Sequence, residues 1–149
     1  MTSQRGPVVV GVDGSPGSDA AVRWAALEAR RCGLPLHVVH VVRSVLDYGP
    51  ALSPWPERDL AAGRRAGEQI LARAAELAAG ATPDLPVLTA AVGGAPVPEL
   101  LAAAAGASVL VLGSRQLQTV GSFVLGSVGA GVAARATGPA MVACRRRPR

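Results

Sequence analysis

Ala-Ser-Val-Leu-Val-Leu, residues 107–112, followed by Gly-Ser-Arg-Gln-Leu-Gln-Thr-Val-Gly-Ser-Phe-Val-Leu-Gly-Ser, residues 113–127, is the stretch that decides the fold class. The first part is an apolar run typical of a buried strand, and the second is a Gly/Ser-rich loop that ends where a helix begins. Such a junction in an α/β protein can hold phosphate, because the N–H groups of the first helical turn and the positive end of the helix dipole attract anions. Glycines at 113 and 126 allow close approach, and Ser114 and Ser127 add hydroxyl donors. An ordinary glycine-rich loop is the alternative interpretation.

Apolar runs and helix-period segments alternate along the whole chain. Strands are predicted over residues 7–12, 36–42, 86–92, 107–112 and 140–144. Helices are predicted over residues 18–31, 57–79, 96–106 and 127–136. Strict alternation indicates a parallel sheet with right-handed crossovers and helices on both faces. The sequence therefore predicts a single α/β domain, doubly wound around a five-stranded, mostly parallel sheet.

The limits of the first and third helices rest on capping residues. Ser18 or Asp19 is the predicted N-cap of the first helix and Gly33 its stop. Its apolar positions are Ala21, Trp24, Ala25 and Leu27. Pro96 or Pro98 opens the third helix, because proline is favoured in a first turn.

Charge is concentrated at the C-terminus. The chain has 149 residues and a formal net charge of +5, of which Arg145, Arg146, Arg147 and Arg149 supply four. We therefore expect a flexible N-terminus over residues 1–6, a domain over 7–144 and a basic tail over 145–149. The tail is either a solvated terminus or a contact for an anionic surface, and nucleic acid is not the expected partner.

The cysteines and the hydropathy of the chain indicate in which cellular compartment we expect the protein. Cys32 and Cys144 form no disulfide framework, and residues 1–7 resemble no secretory signal, so we expect a cytoplasmic protein. The uncharged run over 116–134 has about the length of a membrane span. Its Gln, Ser, Thr and Gly content argues against a membrane location.

Candidate ligand groups follow two other strands. Asp13 comes directly after the first strand and can hold a ribose hydroxyl or a metal, or can cap its own turn through an Asx bond. His40, Val41 and Val42 end the second strand, where they can lie against a purine or only pack in the core. His37 and His40 are three apart on a strand, so they face opposite sides and cannot form a joint metal site.

Other nucleotide and catalytic motifs are excluded. Gly121 and Gly126 have Walker spacing, but Ser127 stands where lysine is required, and the chain contains no lysine. Gly11, Gly14 and Gly17 miss the dinucleotide pattern. The sequence has no G-x-S-x-G elbow and no cysteine pair at metal-binding spacing.

The chain resembles a single-domain universal stress protein over residues 7–144. The resemblance lies in Val-Val-Gly-Val-Asp-Gly-Ser (9–15), Leu-His-Val-Val-His-Val-Val (36–42), Gly-Ala-Pro (94–96) and Gly-Pro-Ala-Met-Val-Ala (138–143). The family's ATP-binding signature, G-x2-G-x9-G-[ST], falls on Gly113, position 116 and Gly126-Ser127. Position 116 departs from it, because Gln116 replaces the second glycine. Its side chain can fill phosphate space or donate a hydrogen bond to a phosphate.

The resemblance implies a Rossmann-like, adenine-nucleotide α-hydrolase-like fold that binds ATP with Mg²⁺ or Mn²⁺. Asp13 would hold ribose, Val41 would contact adenine partly through its backbone, and the phosphates themselves would help hold the metal, with Asp13 a further candidate. The implied nucleotide-binding residues are Val12, Asp13, Ser15, Val41, Leu112, Gly113, Arg115, Gly126, Ser127 and Val128.

The resemblance also implies a homodimer paired through the last strand, Ala140 to Cys144. We expect a regulatory, stress-response module whose protein partner is unknown and which is not an enzyme beyond slow ATP hydrolysis. The alternatives are a nucleotide-free interaction protein in which Gln116 obstructs the phosphate loop and, behind it, a slow ATPase.

Overall fold

The computed structural model describes residues 5–42, 57–113, 115–116, 123–124 and 127–143. Residues 43–56, the basic tail and Cys144 lie outside these residues. The strands are β1 (Val8–Gly11), β2 (Leu36–Val42), β3 (Val87–Gly93), β4 (Val109–Gly113), β5 (Arg115–Gln116), β6 (Phe123–Val124) and β7 (Ala140–Ala143). The helices are α1 (Pro16–Cys32), α2 (Glu57–Ala81), α3 (Pro96–Ala103) and α4 (Ser127–Arg135).

Five strands form one parallel sheet in the order β3-β2-β1-β4-β7. This confirms the predicted doubly wound α/β class, and all the pairings in this sheet are parallel. β1 is central, with Val10 opposite Val38 of β2 on one side and opposite Val111 of β4 on the other. The chain passes from β1 to β2 in one direction and returns to β4 in the other, so the strand order reverses at β1.

Alternating side chains of the strands divide the core into two layers. Val8 and Val10 pack with α1 and α2 on one face of the sheet, whereas Val9 packs with Leu100 and Val132 of α3 and α4 on the other. All five of these residues are at most 5% exposed. A strand that is buried on both faces needs a continuous apolar run, which explains Val-Val-Val at the start of β1.

α1 begins earlier than the sequence predicts. Its N-cap is Ser15, whose Oγ accepts the Ser18 N–H at 3.2 Å, so the prediction of Ser18 or Asp19 as the cap was wrong. Pro16 explains the difference, because proline at the first helical position lacks an N–H that would need a partner. Gly33 ends the helix in the left-handed conformation, as predicted.

Three further details differ from or refine the sequence predictions. Leu27 is 55% exposed, because the buried stripe of α1 runs through Ala21, Val22 and Ala25 instead. Pro96, not Pro98, opens α3. The loop after β4 contains two short antiparallel strands, with Arg115 opposite Val124, and two-residue strands leave too weak a pattern to be predicted.

β4 and α1 approach each other closely at Gly113. A Cβ at this position would lie 2.6 Å from the Ser18 nitrogen and in collision with the Gly17 carbonyl group. Both neighbours are backbone atoms and cannot rotate away. Gly113 therefore allows the first turn of α1 to lie against the end of β4.

We predict that Gly113→Ala lowers the free energy of unfolding by about 1–3 kcal/mol, because the added methyl forces α1 away from β4. Urea unfolding measures the effect. Gly63→Ala, within α2, is the matched control. A Cβ at Gly63 would have no atom within 4 Å apart from the nearby backbone of its own helix. There the change removes a helical glycine and should stabilise by about 0.5–1 kcal/mol. Equal stability of the two variants would contradict the close-approach explanation.

Candidate functional site

A pocket of about 330 Å³ opens at the carboxyl ends of the strands, where the strand order reverses. This is the place where open α/β sheets bind ligands, and the volume is within the range of small-molecule sites. It is lined by residues from the ends of three strands and from the starts of three helices. They are Gly11, Val12, Asp13, Ser15, Ser18, Val39, His40, Val41, Pro96, Leu100, Leu112, Gly113, Val128 and Gly129.

One wall of the pocket is apolar. Val39 and Val41 of β2, Leu112 of β4 and Leu100 of α3 line it, and they belong to or pack against the second core layer. Gly11 gives these side chains room, because a Cβ would lie 2.7 Å from a Leu112 methyl and 2.9 Å from a Leu100 methyl, and both would have to shift. The wall can contact a flat apolar ring without losing a hydrogen bond.

The turn after β1 is built around Asp13. Its Oδ1 accepts the Ser15 N–H at 2.9 Å, so the Asx-bond interpretation is confirmed. Gly14 adopts a φ of +81°, which favours glycine. A carboxylate has about four acceptor sites, so this bond does not exclude a ribose hydroxyl. The ribose role stays a prediction.

Three N–H groups at the start of α1 are already hydrogen-bonded. Ser15 N–H donates to Asp13, Ser18 N–H donates to Ser15 Oγ, and Asp19 N–H donates to the Ser15 carbonyl at 3.0 Å. Pro16 has no N–H to offer. The Asp19 carboxylate lies in the same turn, where it is paired with Arg73 of α2 at 2.7 Å and does not line the pocket. This end of the pocket is therefore poorly suited to an anion.

The first turn of α4 has the opposite character. It contains no acidic residue, and Val128 and Gly129 line the pocket. The first four N–H groups of a helix have no acceptor within it, and the dipole is positive there. This end of the pocket is therefore suited to an anion, and the two helix starts give the pocket a polarity.

The model of the universal stress protein family matches residues 5–143. The chain belongs to the universal stress protein family. It is 39% identical over 138 residues to a universal stress protein of Mycobacterium tuberculosis, a match that covers 91% of this chain and 46% of that protein. The chain thus spans about half the length of the curated relatives it matches.

Solved universal stress proteins share the fold. UspA from Lactobacillus plantarum superposes with a TM-score of 0.76 at 22% identity, covering 93% of this chain and 97% of that one. A universal stress protein in complex with cAMP gives a TM-score of 0.65 at 29% identity, covering 92% and 94% of the two chains. The family and the Rossmann-like fold predicted from the sequence are confirmed.

Most of the residues that the family signature implies lie together. Val12, Asp13, Ser15, Val41, Leu112, Gly113 and Val128 all line the pocket. Ser127 is the first residue of α4, and Arg115 lies in β5 immediately beyond β4. Gly126 lies outside the described residues. The arrangement brings seven of the ten implied residues to one pocket, while their roles toward a ligand stay predictions.

Sequence reasoning missed several lining residues. Ser18, Pro96, Leu100 and Gly129 were not predicted as site residues, because each has a structural reason to occupy its position in a helix. The N-terminal positions of α1, α3 and α4 were the available signal, since helices that follow parallel strands begin at the ligand-binding edge. For His40 the sequence left both a purine contact and core packing open; it lines the pocket, and its Nδ1 lies 2.8 Å from the Val12 carbonyl oxygen.

Neither metal-binding clusters nor membrane-spanning helices are found in the described part of the chain. Within residues 5–42, 57–113 and 127–143, no three His, Cys, Asp or Glu side chains are grouped so that they could hold a metal ion. None of the described helices has the length and apolar character needed to cross a bilayer.

We predict that Ser15→Ala lowers the free energy of unfolding by about 1 kcal/mol, because the Ser18 N–H loses its capping acceptor. Ser15→Asp supplies a carboxylate acceptor at the same position and should preserve most of the stability. Thermal and urea unfolding of both variants measure the difference. A Ser15→Ala variant as stable as the unchanged chain would show that the cap contributes nothing.

Proposed function

We propose that this universal stress protein domain binds an adenine nucleotide, with ATP as the expected ligand, and acts as a regulatory stress-response module in the cytoplasm. The observation that carries the proposal is the polarity of the pocket. Its α1 end contains the Asp13 carboxylate and N–H groups that are already hydrogen-bonded, whereas the first turn of α4, at its other end, contains no acidic residue. A nucleotide has a matching polarity, with hydroxyl donors on the ribose and negative charge on the phosphates.

The apolar wall supports a place for the base. Val12 N–H donates to the Val39 carbonyl at 2.9 Å, and Gly94 N–H donates to the Val42 carbonyl at 3.0 Å. Because peptide groups alternate along a strand, the N–H and C=O of Val41 point toward the β1 side, past the end of that strand. This N–H donor and this C=O acceptor complement adenine, whose N1 accepts and whose amino group donates. The similarity to a universal stress protein that binds cAMP supports the same ligand class.

The helix starts support the order of the other groups. Asp13, at the α1 end, would accept from a ribose hydroxyl, while Val128 and Gly129 would bind phosphate through their N–H groups. Arg115 and Ser127 are proposed as further phosphate contacts because Arg115 follows β4 within two residues and Ser127 precedes Val128, which lines the pocket. Gly126 has the same proposed role from its place in the signature.

Mg²⁺ or Mn²⁺ would be bound mainly through the phosphates. The described residues include no three-ligand cluster, and the acidic residue in the pocket lining is Asp13. Hard divalent cations commonly take one or two carboxylates plus substrate phosphates and water. The residues present fit a metal that arrives with the nucleotide.

We expect binding without efficient turnover. A hydrolase needs a group that orients the attacking water and a group that stabilises the transferred phosphoryl group. Lysine commonly has the second role, and the chain contains no lysine. The regulatory hypothesis assumes instead that nucleotide binding changes the surface to which an unknown protein partner binds.

Gln116 favours a second candidate, a nucleotide-free interaction protein of the same fold. It replaces a signature glycine, and the residue is paired with Phe123 in the β5–β6 ladder. Gln116→Gly distinguishes the two candidates. The substitution should raise ATP affinity if the side chain obstructs the phosphates, and lower it if the amide contributes a hydrogen bond.

We predict that Gly129→Asp weakens ATP binding more than tenfold and changes adenosine binding less than threefold, because the new carboxylate faces only the phosphates. Isothermal calorimetry with Mg²⁺ measures both ligands. Ala130→Asp is the control: it adds the same charge at an exposed position of the same helix, whereas Gly129 is buried in the pocket wall. Its ATP affinity should stay within threefold of the unchanged protein.

Two results would count against the proposal. Failure of the unchanged protein to bind ATP, AMP or adenosine at millimolar concentration would contradict nucleotide binding. Equal loss of ATP and adenosine affinity in a folded Gly129→Asp protein would contradict the assignment of phosphate to α4. Asp13→Asn, a smaller change, should weaken adenosine and ATP alike and keeps the test usable if Gly129→Asp does not fold.

We also propose a homodimer through β7, as the family resemblance implies. β7 is at one edge of the sheet, and its sequence Ala-Met-Val-Ala is apolar. An apolar edge strand is prone to pair with another strand. Because the Pro139 carbonyl accepts from Leu110 N–H of β4, the alternation directs the Val142 N–H away from β4.

We predict that Val142→Pro converts the dimer to a monomer while retaining the fold, because it removes an outward donor and leaves the β4 pairing in place. Sedimentation velocity measures the mass, and Val142→Ala, which keeps the N–H, should remain dimeric. A dimeric and folded Val142→Pro protein would place the contact elsewhere.

A further inference from the structure

We propose that His40 is a positioning residue that ends the β1–β2 pairing early and thereby presents the Val41 peptide group to the base. This inference rests on the proposed nucleotide-binding function and adds to it the determinant of base recognition. It depends on the hydrogen bonds at the mouth of the pocket, where β1 stops and β2 continues.

The parallel ladder between β1 and β2 stops at the pair Gly11–Val39. Its last bond runs from Val12 N–H to the Val39 carbonyl, at 2.9 Å. In a regular parallel ladder the next bond would run from Val41 N–H to the Val12 carbonyl. That pairing does not occur among the described residues, although both partners are present at the pocket.

The His40 side chain takes the place of that bond. Its Nδ1 lies 2.8 Å from the Val12 carbonyl oxygen. Because a carbonyl can only accept, Nδ1 carries the proton and donates. The Val12 carbonyl already accepts this hydrogen bond, so it does not need the Val41 N–H as a donor. A side chain thus replaces one backbone bond of the sheet.

α2 holds the imidazole ring in this position. The ring lies against Gly67, where a Cβ would be 3.1 Å from the ring Cδ2 and 3.5 Å from a Val42 methyl. Gly67 is buried, so the absence of a side chain there makes the room that the ring occupies. His40 therefore links β1, β2 and α2 at one point.

The consequence concerns base selectivity. With the Val12 carbonyl occupied by His40, the donor and acceptor of Val41 both remain directed into the pocket. Adenine presents an acceptor and a donor to such a pair, whereas hypoxanthine presents a donor at N1 and an acceptor at O6. His40 thus favours adenine over hypoxanthine without touching the base.

The first test needs no ligand. Amide hydrogen exchange of the unchanged protein, followed by NMR, should show Val41 N–H protected at least tenfold less than Val39 N–H, which is within the ladder. His40→Asn should show the same ratio, because its Nδ2 can reach the Val12 carbonyl as Nδ1 does. Equal protection of the Val39 and Val41 amides in the unchanged protein would overturn the proposal.

The second test measures the ratio of the dissociation constants for ITP and ATP. His40→Leu keeps much of the ring's volume but has no donor, so the preference for ATP should fall about tenfold. His40→Asn should retain the preference within threefold. His37→Leu, a histidine of the same strand that does not line the pocket, is the control and should also retain it.

The outcomes separate the proposal from the function on which it rests. If the unchanged protein binds neither ATP nor ITP, the proposed nucleotide binding is wrong. The ratio of amide protection between Val39 and Val41 then decides by itself whether His40 ends the β1–β2 pairing. If ATP binds and a folded His40→Leu protein loses affinity for both nucleotides equally, the residue has a merely structural role and the proposal is overturned.

Discussion

The pairing of β1 with β2 on one side and with β4 on the other is the constraint on which the rest of the structure depends. Because β2 and β4 leave β1 in opposite directions along the sheet, the crossover helices cover different faces and a crevice opens between their starts. Continuous burial of β1 requires Val-Val-Val, and the narrow space at the end of the crevice requires Gly113 and favours Gly11. Packing and binding geometry therefore have the same origin.

Hydrogen bonding at the mouth of the crevice divides it into unlike ends. Asp13 and Ser15 satisfy the start of α1, so a helix terminus that would otherwise attract anions is already compensated. α4 begins without acidic residues and retains that attraction. Two helices of the same polarity thus present different chemistry, and the difference comes from side chains of one short turn. The proposed ligand, an adenine nucleotide, has groups in this order.

The sequence was sufficient to predict the fold class, since each central strand is a continuous apolar run and each helix has its own period. It also placed Val12, Asp13, Val41 and Gly113 near one another, because the carboxyl ends of parallel strands share one edge. The cap of α1 was harder to predict, since Ser15 and Ser18 both suit an N-cap and only the position of Pro16 favours the earlier start.

Long-range contacts explain what the sequence could not show. His40 looks like an ordinary strand residue, and its bond to the Val12 carbonyl joins positions 28 residues apart. Gly113 was expected to make room for phosphate, whereas its closest neighbours are the backbone atoms of Gly17 and Ser18. Both features depend on how separate elements meet, and neither has a local pattern.

Chemical-shift mapping by ¹H–¹⁵N NMR during a titration with AMP and Mg²⁺ would decide whether a nucleotide binds with its base at β2 and its phosphate at α4, because it reports both ends of the pocket at once. We expect saturable shifts that are largest at the amides of Val41, Val128 and Gly129. Saturable shifts confined to residues outside the pocket, or no shifts at millimolar AMP, would contradict this expectation.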